Sequence, residues 1–200
     1  LEADESTRYL VLEMGASGPG HIAYLTDIAP LDAAGVLMIG HAHMGGFGSI
    51  EGVAAAKAEI IAGLRPEGIA ILNADDARAA AMAELAPARV LTFSARGRQA
   101  DLRAENVDLD AAARAAFDLH LPGLAEPRRV QLAVAGVHNV SNALAAAGLA
   151  LAAGLAPELI ADRLGSVSIE SPHRMDISEL SGDLLLIDDS YNANIDSMTA

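Results

Sequence analysis

The stretch VLMIGHAHMGGFGSIEGVAAAKAEIIAGLRPEGIAIL, residues 36–72, has a short apolar run at each end and a helical pattern between them. Val36–Ile39 closes on Gly40, and Gly68–Leu72 is of the same kind. Between them Ile50–Leu64 repeats its apolar residues with the period of a helix, and Ser49 stands where an N-cap belongs. Strand, helix and strand in that order predict parallel strands joined by a crossover helix. The rhythm continues outward. Upstream, Tyr9–Glu13 (YLVLE) reads as a buried-type strand, followed by the turn GASGPG and a short helix near His21–Ile28. Downstream, Asp76–Leu85 reads as a helix and Arg89–Phe93 as a strand.

Residues 101–134 change character. Leu102–Leu109, Ala115–Leu121 and Val130–Val134 are three strand-like runs with no helix between them, which predicts a small antiparallel sheet. Helices return at Val140–Ala153 and Pro157–Leu164, and two further strands, Met175–Leu180 and Leu184–Asp188, flank a turn at 181–183. The stretch SIESPHR breaks the helical pattern near 168–173, so residues 1–170 read as one α/β domain and 171–200 as the start of another.

Composition narrows the function. With 52% hydrophobic residues and a mean hydropathy of +0.30, the 200 residues can bury a sizeable core. Aromatics make up only 3%, so that core must be aliphatic and Ala-rich. A formal charge of −14 repels nucleic acid and anionic membrane surfaces. No Cys is present, which excludes disulfides and thiolate metal sites. No apolar run approaches the roughly 18 residues of a membrane span, and no secretory signal is visible. The chain opens on LEADESTRYL without Met and stops at SMTA, so it reads as a piece of a longer protein.

Ligands of open parallel sheets sit at the carboxyl ends of the strands. Those ends carry Glu13, then His41 and His43, then Asn73 and Asp75. Carboxylate, imidazole and amide donors together suit a divalent cation. Each also has an ordinary reading: Glu13 as a hydrated strand-end carboxylate, the His pair as a satisfied turn, Asp75 or Asp76 as the cap of the next helix. A zinc hydrolase built on His41 and His43 would need a third ligand motif, which is absent. Lys57 falls on the apolar stripe of Ile50, Val53, Ile60, Ile61 and Leu64, whereas Glu51 and Glu59 fall on other faces. Burial there would favour the neutral, nucleophilic amine, which could take up CO₂. The alternative is that Lys57 snorkels to water along its own methylenes. In GVHNVSNALAA (136–146), Asn139 and Asn142 share one face of a helix's first turn, suited to a base or to phosphate oxygens, although Asn139 could be a plain N-cap. Arg174, at a strand start, and Asp188 and Asp189, at a strand end, form a third group that could equally be solvated charge.

Six segments in this order resemble the Mur ligase family: EMGASGPGHIAYLTDIAP (13–30), GHAHMGGFGSIEGVAAAKAEI (40–60), LNADD (72–76), GVHNVSNALAAAGLA (136–150), SPHRM (171–175) and DDSYNANIDSM (188–198). The AH-x-G-x-FGS form and DDSYNAN point to its MurF branch. The resemblance implies a P-loop NTPase-like central domain followed by the first strands of a Rossmann-like C-terminal domain. It implies a cytoplasmic, monomeric enzyme using ATP and Mg²⁺ to join D-alanyl-D-alanine to UDP-N-acetylmuramoyl-tripeptide through an acyl phosphate. By position, Glu13 and His43 become magnesium ligands and Lys57 a carbamylated lysine whose new carboxylate also binds metal. Asn139 and Asn142 become contacts to adenine, Arg174 a contact to the ATP phosphates, and Asp189 the acid near the ribose. The sequence departs from the family in several places. No G-x-x-x-x-G-K-[ST] phosphate loop occurs, and the family places it upstream of residue 1, so this chain alone is expected to be inactive. Met38 stands where Asn is usual, His41 where a small residue is usual, Gly46 where Glu is common, and Ile195 where Pro follows NAN. Alternatives are another amide ligase of the superfamily, such as folylpolyglutamate synthase or another Mur step, and a non-catalytic binding relative.

Overall fold

The computed structural model describes residues 3–40, 44–87, 89–167, 176–182 and 184–191. Its elements are α1 (His21–Ile28), β1 (Leu31–Val36), α2 (Met44–Phe47), α3 (Ile50–Ala62), β2 (Leu64–Asn73) and α4 (Ala77–Ala81), which runs into a 3₁₀ turn at Met82–Leu85. Next come β3 (Arg89–Ser94), β4 (Leu102–Leu109), β5 (Arg114–His120), β6 (Arg128–Ala135), α5 (His138–Ala152), α6 (Pro157–Leu164), β7 (Asp176–Leu180) and β8 (Leu184–Asp188).

One six-stranded sheet runs in the order β1-β2-β3-β4-β5-β6. Pairings β1–β2, β2–β3 and β3–β4 are parallel, whereas β4–β5 and β5–β6 are antiparallel. The antiparallel strands are therefore an extension of the parallel sheet rather than a separate one. The junction is a ladder of two pairs, Phe93↔Leu102 and Ser94↔Arg103. Because β4 starts level with the end of β3, the extension projects past the carboxyl edge of the parallel strands. β7 and β8 form a two-stranded antiparallel hairpin.

Both faces of the parallel strands are covered, as their near-continuous apolar runs require. Ala70 and Leu72 face a cluster with Val36, Val53, Ile61 and Met82, under α3 and α4. Ile71, between them, faces the opposite cluster with Phe93, Phe117, Leu102 and Leu144, under α5. α5 lies close because its inner face is small: Ala143, Ala145, Ala147 and Gly148 are all buried. A Cβ on Gly148 would stand 2.8 Å from Cγ2 of Ile71. The aliphatic, Ala-rich core predicted from composition is built in this way.

Two predicted strands are corrected. Tyr9–Glu13 joins no ladder, and Tyr9, Leu10 and Val11 are 58%, 52% and 88% exposed. A strand needs a neighbour for its N–H and C=O groups, and among the described residues β1 pairs with β2 alone. The strand near residue 36 is Leu31–Val36, not Val36–Ile39. Its last ladder pair is Val36↔Leu72, and beyond it side chains take over the backbone groups. Other boundaries agree closely: α1, β4, α6 and β8 fall where predicted, and Ser49 caps α3 by accepting a bond from Gly52 N at 3.1 Å. The proposed boundary near 168–173 lies outside the described residues.

Candidate functional site

The carboxyl ends of β1, β2 and β3 share one edge because the strands are parallel. Here the sequence supplies polar side chains where the ladders stop. Asn73, 7% exposed, donates from Nδ2 to Leu37 O at 2.7 Å, and its Oδ1 accepts from Asp75 N at 2.8 Å. Asp76 caps α4, its Oδ1 accepting from Arg78 N and Ala79 N, while its Oδ2 accepts from Ile39 N at 2.7 Å. Lys57 Nζ reaches Met38 O at 3.5 Å. Three consecutive residues after β1 are thus held by three side chains from β2, the loop after it and α3.

Asp75 has a structural task. Its side chain is 7% exposed and its oxygens accept from Ser94 Oγ and Ala95 N, both at 2.8 Å, with Arg98 Nε at 3.8 Å. It locks the end of β3 to the end of β2. Asp76 is the helix cap that the ordinary reading foresaw.

Lys57 requires a correction. It is exposed, not buried. The buried residues of α3 are Val53, Ala56 and Ile61. Periodicity places Lys57 over the sheet, but its amine reaches the carboxyl edge, where the loop after β1 leaves the cover. Burial therefore gives no reason for a reactive amine here; the position at the strand ends is what remains.

Glu13 is exposed and has no hydrogen bond or ion pair among the described residues. The turn after it is held from α3: Glu59 accepts from Gly20 N at 2.6 Å and from Ala23 N at 3.0 Å. Gly20, the N-cap of α1, supplies no side-chain cap, so Glu59 satisfies the helix's orphan donors from a distance. The same turn passes α2 closely. A Cβ on Gly46 would stand 2.5 Å from Ser17 O, so the Glu common at that position in the family could not be accommodated without moving the turn. His41 and His43 lie outside the described residues. Among those described, no three His, Cys, Asp or Glu side chains stand close enough to hold a metal ion.

The amide pair is brought together. Asn142 Nδ2 donates to Asn139 Oδ1 at 2.9 Å, and Asn139 Nδ2 donates to Ala135 O, the end of β6, at 2.7 Å. Asn139 is not the N-cap, a place held by Val137. Both Asn residues edge an apolar depression of about 120 Å³ floored by Leu132, Val134, Ala143 and Ala146. An apolar depression with amides in its lining suits a heteroaromatic base. A larger depression, about 240 Å³, lies by the 121–127 loop. Its Arg and His side chains are already engaged: Arg103 Nε meets Glu105 at 2.9 Å and His120 Nε2 meets Glu105 at 3.0 Å. At the end of β8, Asp188 accepts from Ser190 N and Oγ, and Asp189 is exposed. Arg174 lies outside the described residues.

Sequence reasoning missed Glu59 and the clamp by Asn73 and Asp76. The first had a faint signal, a helix start without a Ser, Thr, Asp or Asn to cap it.

The family model described as Mur ligase middle domain matches residues 1–150. A UDP-N-acetylmuramoyl-tripeptide–D-alanyl-D-alanine ligase of Mycobacterium tuberculosis (strain H37Rv) is 44% identical over 200 residues, covering 100% of this chain and 39% of that protein. The Escherichia coli K12 protein of the same name is 39% identical, over 96% of this chain and 42% of its own length. Among solved structures, MurF from Acinetobacter baumannii superposes with a TM-score of 0.91 at 36% identity, over 100% of this chain and 42% of that one. MurF from Thermotoga maritima, in complex with ADP, gives 0.76 at 26% identity over 93% of this chain and 42% of that one. The chain thus spans about two fifths of the length of these relatives. It belongs to the Mur ligase family, of which residues 1–150 carry the middle domain.

Proposed function

We propose that this chain is part of a MurF-type ligase, which joins D-alanyl-D-alanine to UDP-N-acetylmuramoyl-tripeptide at the expense of ATP. The observation that carries the reading is the 44% identity, across all 200 residues, to a mycobacterial ligase of that name. In this reading residues 1–170 belong to the ATP-binding domain and 171–200 begin the C-terminal domain. The same reading makes it a cytoplasmic enzyme that acts as a monomer on soluble precursors; among the described residues no helix is long and apolar enough to cross a membrane.

The residues divide the work. Asn139 and Asn142 receive the adenine over their apolar slot, Asp189 lies by the ribose and Arg174 meets the phosphates; the ADP-bound Thermotoga relative supports a nucleotide in this family. Glu13, His43 and a carbamylated Lys57 would hold Mg²⁺. In donor chemistry the described members fit: Glu13 is an exposed carboxylate with no protein partner among the described residues, and the Lys57 amine reaches the carboxyl edge of the sheet. Bound there, the cation would supply charge neutralisation beside the phosphates. The tripeptide carboxylate attacks the γ-phosphorus and ADP departs, leaving an acyl phosphate. The dipeptide amine then attacks the acyl carbon, loses a proton and expels phosphate.

The test is made on the full-length protein with ATP, Mg²⁺, the UDP-linked tripeptide and candidate amines. The reading expects D-alanyl-D-alanine to be incorporated with one ADP released per product. Incorporation of glutamate or a diamino acid instead would move the chain to another ligase of the superfamily, and nucleotide binding without turnover would make it a non-catalytic relative.

A further inference from the structure

Among the described residues the carbonyl of Met38 is the protein acceptor met by the Lys57 amine, and the residues on either side of it are both gripped by side chains. Leu37 O accepts from Asn73 Nδ2 and Ile39 N donates to Asp76 Oδ2, each at 2.7 Å. Asn73 is itself fixed, being 7% exposed and bonded through Oδ1 to Asp75 N. Asp76 is fixed by capping α4. A peptide carbonyl between two such anchors has little freedom to turn. We propose that Asn73 and Asp76 are positioning residues: they aim the Met38 carbonyl at the Lys57 nitrogen, and that carbonyl orients the carbamate which Lys57 carries in the working enzyme.

The chemistry requires an acceptor at this place. Lysine loses a proton to become the free amine; its nitrogen then bonds to the carbon of CO₂ and sheds a second proton to solvent, leaving R–NH–COO⁻. That nitrogen keeps one hydrogen. The carbamate is planar, so a fixed carbonyl accepting that hydrogen sets the rotation about the Cε–Nζ bond, and so the direction in which the two new oxygens point. The contact uses the main chain of residue 38, whose side chain is 50% exposed. The family's usual Asn can therefore be Met here with the contact retained. The Asn and the second Asp of LNADD thus acquire a task that their place at a strand end does not by itself reveal.

The inference rests on the carbamate reading of Lys57, and the experiment separates the two. Full-length protein is equilibrated with ¹³C-bicarbonate and Mg²⁺, and the lysine carbamate carbon is followed by NMR as dissolved CO₂ is raised. The variant is Asp76→Ser, which keeps an N-cap of comparable quality but is too short to reach Ile39 N as well. Asn73→Asp is the second variant; it keeps the acceptor for Asp75 N and removes the donor to Leu37 O. Each is expected to raise the CO₂ needed for half-carbamylation by roughly three- to tenfold, the worth of one net hydrogen bond, with the thermal unfolding midpoint of Asp76→Ser close to wild type. Wild-type protein lacking the signal would overturn the carbamate reading itself. A wild-type signal that both variants reproduce at the same CO₂ would overturn the positioning role and leave that reading standing.

Discussion

Replacing Glu59 with Ala removes the one side chain that, among the described residues, meets the N-terminal donors of α1. Two backbone N–H groups, those of Gly20 and Ala23, then turn to water. Loss of an N-cap costs about 1 kcal/mol, and a carboxylate at a helix N-terminus adds about 0.3–1 kcal/mol. Glu59 is half-buried, so part of its charge is screened and the sum is about 1–2 kcal/mol of local stability. The loss should stay local, because α1 packs on α3 rather than on the sheet, its buried Thr26 lying against Gly63. Hydrogen exchange reads this directly: amides of residues 22–28 should exchange about 5- to 30-fold faster, while those of β2 keep their rates. Glu59→Gln, which retains one neutral acceptor, should fall between. Exchange in α1 within twofold of wild type would refute the claim that Glu59 is its cap.

Gly148→Ala should destabilise the domain by about 1–3 kcal/mol through overpacking, since the new methyl meets Ile71, which is fully buried; a thermal midpoint equal to wild type would show that α5 can lift from the sheet at no cost. On β4, the hydrogen bond from Arg103, followed by the charge of His120, holds the Glu105 carboxyl below its ordinary 4.5. A depressed carboxylate contributes stability above its unfolded value and loses it as pH falls through the folded one. Acidification from 4.5 downward should therefore cost wild type more than Glu105→Gln, read as the difference in unfolding midpoint; parallel pH profiles would contradict the coupling.

Much of this fold is legible because its signals are local. Ser49 and Pro157 mark helix starts by their own chemistry, and the strands of the extension show in apolar runs bounded by turns. Strand β1 was not legible. LDAAGV contains Asp32 and Gly35 and lacks the apolar density of the neighbouring VLMI; it pairs because β2 supplies a ladder. After Val36 the rest of that denser run, Leu37–Ile39, leaves the sheet, and Asn73 and Asp76, far along the chain, take its backbone groups. Lys57 shows the same limit: periodicity gives the direction of a side chain on a helix, not whether the sheet beneath continues. The amide pair was visible as a spacing, but its bond to Ala135 O needed the turn at Gly136, at φ +103.

The central proposal is that the sheet edge reached by Lys57 is the catalytic edge of an ATP-dependent ligase. The most direct measurement is the rate of D-alanyl-D-alanine incorporation by full-length Lys57→Ala, without and with added formate or acetate. The account predicts activity lowered by at least about a hundredfold, a loss of the size seen when a charge-stabilising group is removed, and partial recovery when the small carboxylate occupies the place of the carbamate. Full activity in Lys57→Ala would contradict it.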